Sequence, residues 1–113
     1  MARTIKLFIS QPMNGKTDKE IIAERNKAEE QIKSLLDSNG MTIEHIDVEV
    51  IDSFFQSAPV EVRPLWFLGK SLELLSTADY VYFCKGWRDA RGCQIAHEAA
   101  CKYGIEIIYE SEE

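Results

Sequence analysis

Residues 80–103 constrain the fold most. Tyr80-Val81-Tyr82-Phe83-Cys84 is apolar and β-rich, Lys85-Gly86-Trp87-Arg88-Asp89-Ala90-Arg91-Gly92 follows directly, and the segment after it keeps helical spacing until Tyr103-Gly104. The stretch reads as strand, loop, helix. In an open α/β sheet, ligands bind where the carboxyl end of a strand hands over to a helix N-terminus, because unpaired backbone N–H groups and the helix dipole converge there. This loop is therefore the first place to look for function.

The remaining segments supply a sheet around that unit. Ile5-Lys6-Leu7-Phe8-Ile9-Ser10 is apolar enough to be a central strand buried on both faces. After the loop Gln11 to Lys16, Thr17-Asp18-Lys19-Glu20 fits a capping box. The helix it opens runs to about Ser38, burying Ile21, Ala28, Ile32, Leu35 and Leu36, and Asn39-Gly40 stops it. Thr42 to Asp52 alternates imperfectly through Ile43, Ile46, Val48 and Val50, giving a second strand that is either parallel or an antiparallel edge. Ser53 to Arg63 is a loop whose Phe54 and Phe55 either cover a ligand or plug the core or a subunit contact. Pro64 suits a first helical turn, and Leu65, Leu68, Leu72 and Leu75 mark an apolar stripe up to Ala78. Asp79 opens a third strand, Arg91 to Tyr103 form the last helix, and Ile105 to Tyr109 the last strand. With right-handed crossovers this order gives one α/β domain over residues 1–113, a three-layer Rossmann/flavodoxin-like fold with a mostly parallel sheet of four to five strands. The loops after the first and third strands then meet at the carboxyl edge.

Composition narrows the partners. A net charge of −6 argues against a nucleic-acid groove, which depends on Lys and Arg neutralising phosphates. The tail Glu110-Ser111-Glu112-Glu113 reads as a solvated terminus. No apolar run approaches membrane-spanning length and Met1-Ala2-Arg3-Thr4 leaves no room for a signal peptide, so a cytoplasmic protein is expected. Cys84, Cys93 and Cys101 show no CxxC pairing, which favours reduced thiols; Cys93, His97 and Cys101 on one helix make a poor metal set. No metal and no cofactor are implied.

Ser10 to Thr17 reads S-x-x-x-x-G-K-T between a strand and a helix, a phosphate-loop pattern without its first glycine. Pro12 removes an N–H donor and no magnesium-binding aspartate follows a strand, so an NTPase is disfavoured. The small polar loop with Ser10, Asn14 and Gly15 still suits phosphate or sugar hydroxyls. Gly69-Lys70-Ser71 lies inside a helical stripe and carries no such meaning. His45 reads as a surface histidine, and Cys93 as a packing residue in preference to a reactive thiol. Arg88 and Arg91 can clamp a phosphate or carboxylate, with Trp87 a face for a base; alternatively they and Asp89 form a salt-bridged loop.

Ile5 to Gly15 (IKLFISQPMNG), Leu65 to Leu75 (LWFLGKSLELL), Ala78 to Val81 and Gly86 to Tyr103 (GWRDARGCQIAHEAACKY) together resemble the nucleoside 2-deoxyribosyltransferase-like superfamily, closest to its branch of small, mostly uncharacterised bacterial and phage domains. The resemblance implies a flavodoxin-like fold and action on the N-glycosidic bond of nucleosides, nucleotides or related ribosyl compounds. It also implies a catalytic glutamate four positions beyond Gly92. That position is Ala96.

In related enzymes the glutamate attacks the anomeric carbon, and the glycosyl-enzyme is resolved by water or another base. A methyl group cannot do this. Glu98 does not substitute, because two residues along a helix is a rotation of about 200°, and His97 is no carboxylate. Ala96 then marks either a natural nucleotide-binding module or a Glu→Ala change that traps substrate; the preserved surroundings favour the second. The resemblance further assigns sugar or phosphate contacts to Ser10, Gln11, Pro12, Met13, Asn14 and Gly15. It puts Asp89 near an assisting aspartate, offset by one, and Ser71 near the position of another. Homodimers or higher homo-oligomers are implied too, with Phe54, Phe55 and Trp66 as contact residues.

Overall fold

A computed structural model describes residues 3–12, 15–38, 46–52 and 63–110. The elements are β1 (Arg3–Ser10), α1 (Asp18–Ser38), β2 (Ile46–Val50), α2 (Pro64–Leu75), β3 (Tyr80–Phe83), a short 3-10 turn (Trp87–Asp89), α3 (Arg91–Tyr103) and β4 (Glu106–Tyr109). The four strands form one parallel sheet in the order β2-β1-β3-β4. β2 is thus parallel, which its imperfect alternation left undecided.

Each local boundary has a chemical cause. Thr17 and Glu20 close the expected capping box, the Glu20 N–H donating to Thr17 Oγ1 at 3.2 Å and the Thr17 N–H to Glu20 Oε1 at 3.3 Å. Pro64 occupies the first turn of α2, where its missing N–H costs no bond. α2 stops at Leu75, short of Ala78, where Ser76 and Thr77 turn the chain. Asp79 starts β3 by proxy: its carboxylate accepts from the Lys6 N–H at 2.9 Å while its own N–H donates to the Lys6 carbonyl at 2.9 Å.

β1 is central, and its alternating side chains serve two layers. Leu7 and Ile9 pack with Ala28 and Ile32 of α1, together with Tyr82 and Cys84. Phe8 faces the other way, into a layer with Leu75, Val81, Phe83, Ala96 and Ala100 beneath α2 and α3. The result is the three-layer Rossmann/flavodoxin-like arrangement, with α1 on one face and α2 and α3 on the other. Ile21, Ala28 and Ile32 are buried as expected, but Leu35, in the last turns of α1, is 44% exposed and outside the buried cluster. Leu36, the Asn39-Gly40 stop, Thr42 to His45, and the loop with Phe54, Phe55 and Pro59 lie outside the residues whose side chains are described. Among the described residues no helix is long and apolar enough to cross a membrane.

Candidate ligand site at the carboxyl edge

In the order β2-β1-β3-β4, the connections from β1 and from β3 leave toward opposite sides, so their carboxyl ends are the switch point at which sheets of this topology form a ligand crevice. The loops after them meet there. The Cys84 N–H donates to the Ser10 carbonyl at 2.9 Å. Gly86, at φ 89°, turns the chain off β3 in a left-handed conformation, and a Cβ on it would lie 3.6 Å from Pro12 Cγ. Ser10 is buried, and its hydroxyl shares a hydrogen bond with the Cys93 thiol in the first turn of α3.

Gln11, also buried, is held from three sides. Its Nε2 donates to the Ile21 carbonyl at 3.2 Å and to Glu24 Oε1 at 2.9 Å, and its Oε1 accepts from Arg25 Nη1 at 3.0 Å. Arg25 Nη2 then donates to the Ile51 carbonyl at 2.9 Å, just past β2. Lys16 completes the group with its Nζ 2.9 Å from Glu24 Oε2. Burial pulls the Arg25 guanidinium below its ordinary range, opposed by the charge of Asp52. Lys16 entered the sequence reading only as part of the phosphate-loop pattern, and Glu24 and Arg25 were not among the expected site residues. Their spacing to Gln11 is non-periodic, and only the fold of α1 back over β1 brings them together.

Two thiols lie beneath. Cys84 is fully buried, and the loss of solvent pushes its thiol up to about 12. Burial raises Cys93 as well, opposed by the Ser10 hydrogen bond and by Lys16. Both stay protonated at neutral pH, in keeping with Cys93 as a packing residue rather than a nucleophile.

The start of α3 is open. Its N-cap, Ala90, supplies no side-chain bond, and the first intrahelical donor is the Gln94 N–H, to the Ala90 carbonyl at 2.9 Å. The N–H groups of Arg91, Gly92 and Cys93 therefore lack intrahelical acceptors. Nothing lies within 4 Å of a Cβ placed on Gly92. Arg88, Asp89 and Arg91 are exposed around this opening. Among the described residues no ion pair ties these three together, so the salt-bridged loop is not what forms.

Trp87 has other company. Its ring stacks on His97 with centroids 4.2 Å apart and planes at 24°, and lies 5.2 Å from Phe83 and 5.8 Å from Tyr109. The Arg88 guanidinium sits 5.3 Å over the same indole. His97 Nε2 is 2.6 Å from the Tyr109 hydroxyl. Trp87 thus belongs to a ring wall between α3 and β4, and the face expected to receive a base is already in contact with protein.

Ala96 is 3% exposed, in the apolar layer with Phe8, Val81 and Phe83, on the helix face that also carries Cys93 and Ala100. Ser71 is half-buried midway along α2. Trp66, half-buried, packs edge-to-face on Phe67 at 5.2 Å. Met13 and Asn14 lie outside the described residues; Gly15, at φ 78°, is exposed just before Lys16. Among the described residues no group of three or more His, Cys, Asp or Glu could hold a metal ion.

A parallel sheet flanked by helices on both faces, with a topological switch point between β1 and β3, defines a Rossmann/flavodoxin-like α/β domain. More narrowly, a family model described as a domain of unknown function, DUF4406, matches residues 5–109, and the chain belongs to that family. No curated protein and no solved structure matches the chain.

Proposed function

We propose that the chain binds a nucleoside, nucleotide or ADP-ribose-type ligand in the crevice between β1 and β3, and does not turn it over. The observation that carries the second half is Ala96: where the superfamily resemblance expects a nucleophile, a methyl group is packed among Phe8, Val81 and Phe83. The two-step route through a glycosyl-enzyme, which the resemblance implies, needs a carboxylate at that point. Support for the first half comes from the open start of α3 and from Arg88 and Arg91, which carry no ion pair among the described residues. Unpaired N–H groups at a helix start, next to guanidiniums, suit a phosphate.

The test is mass spectrometry of ligand released from the protein as purified, together with thermal shifts on nucleosides, their 5′-monophosphates and ADP-ribose. An intact ligand of this class, or a saturable shift with one, is expected. Neither, across the whole panel, would sink the reading.

Cleavage or transfer at the N-glycosidic bond is the second reading, favoured by one observation. Helix side chains lean toward the N-terminus, and Ala96 shares the face of Cys93, whose thiol meets Ser10 at the sheet edge. A glutamate at 96 would therefore lean toward the crevice. Free base released by the Ala96→Glu variant, with none from the parent chain, would establish this reading; a folded variant that releases none from any member of the panel would remove it.

A further inference from the structure

We infer that Lys16 is the residue that meets the ligand's phosphate, and that Glu24 holds its ammonium in reserve until a ligand competes for it. The inference rests on the nucleotide reading of the crevice and absorbs the Gly15-Lys16-Thr17 motif, which that reading left unused.

Lys16 is the last residue before the Thr17–Glu20 capping box, which fixes the chain beside it. The ammonium lies 2.9 Å from Glu24 Oε2, and the two side chains are 28% and 25% exposed. Through Glu24 it is joined to Gln11, just past the end of β1 on one side of the crevice.

The two partners are unequally fixed. Glu24 is tied through Oε1 to Gln11, and Gln11 to Arg25, which is tied in turn to the Ile51 carbonyl. Lys16 has a flexible four-carbon stem and three N–H donors, of which one bond, to Glu24, is formed among the described residues. When a phosphate enters, Lys16 is the member that moves. Until then its charge is cancelled locally, and Glu24 also repels a second anion. The crevice therefore selects against weak anions and admits one anchored by other contacts as well.

The experiment measures equilibrium binding of the four ribonucleoside 5′-monophosphates, their matching nucleosides and inorganic phosphate to the parent chain, Glu24→Gln and Lys16→Met, with melting curves to verify folding. Glu24→Gln is expected to bind monophosphates about fivefold more tightly, the ~1 kcal/mol of a partly exposed ion pair converted to affinity. Lys16→Met should bind them about fivefold or more weakly, and neither change should alter nucleoside binding. Parent chain and Glu24→Gln binding monophosphates equally would overturn the latch and leave the nucleotide reading standing. So would unchanged monophosphate binding in Lys16→Met, even if Glu24→Gln failed to fold. No binding of any probe by the parent chain or either variant would overturn both.

Discussion

The two sides of β3's carboxyl end solve the same problem differently. Toward β1, the chain fills the edge with hydrogen bonds: Gln11, Glu24, Arg25 and Lys16 form a continuous polar chain ending on the Ile51 carbonyl. Toward β4, it fills the edge with rings: Phe83, Trp87, His97 and Tyr109 pack within 6.1 Å of one another. A polar chain with spare donors can exchange a protein partner for a ligand at modest cost, whereas a stacked wall gives up its contacts without replacement. The difference places ligand chemistry on the β1 side and rigidity on the β4 side.

The largest effect is expected where the wall meets the core. Phe83→Ala removes a fully buried ring that touches Trp87, His97 and Tyr109, and should cost about 3–5 kcal/mol in urea unfolding. A much smaller loss would show that the wall is not continuous with the core. Alkaline pH probes the β1 side through the thiol beneath it. Cys84 stays protonated up to about 12 in the fold, against 9.0 as the ordinary thiol value. Between those values the unfolded chain releases a proton that the folded chain keeps, so stability falls as pH rises, by roughly 1.4 kcal/mol per unit. Burial raises Tyr82 and Cys93 in the same direction. Unfolding free energies from pH 8 to 11 should slope downward, and Cys84→Ala should flatten the slope.

Smaller changes separate the regions further. Arg25→Met strips donors from Gln11 Oε1 and the Ile51 carbonyl, and should cost about 2 kcal/mol. Monophosphate affinity should rise with it, because Glu24 loses the anchor through Gln11 that keeps it on Lys16. Tyr109→Phe removes only the hydroxyl beside His97, for about 1 kcal/mol or less. It should leave monophosphate binding unchanged, and a change there would erase the division between the two sides.

Features governed by local chemistry were legible in the sequence. The Thr17–Glu20 box, Pro64 and Gly104 act within a few residues of themselves, and the last helix runs from Arg91 to Tyr103 as its spacing indicates. A mostly parallel sheet followed from alternating strands and helices, since crossovers allow few other arrangements, while the direction of β2 did not. The site was harder to read. Trp87 pairs with His97 on α3 and Tyr109 on β4, ten and twenty-two residues further along, and no spacing rule links them. Glu24 and Arg25 carry the charge expected of a solvated helix face. Only the position of Gln11 at the end of a central strand turns them inward.

The pairing of β1 with β3 also sets an order of events. The Lys6 N–H and the Asp79 carboxylate that it meets are 73 residues apart, and everything that shapes the crevice, from Ser10 to Cys93, straddles that join. Long-range strand pairing has to close a large loop before it is rewarded. A chain emerging from the ribosome therefore has no crevice until the start of α3 is available, however complete β1, α1 and β2 already are. A ligand that binds there stabilises only those states in which β1 and β3 are already paired.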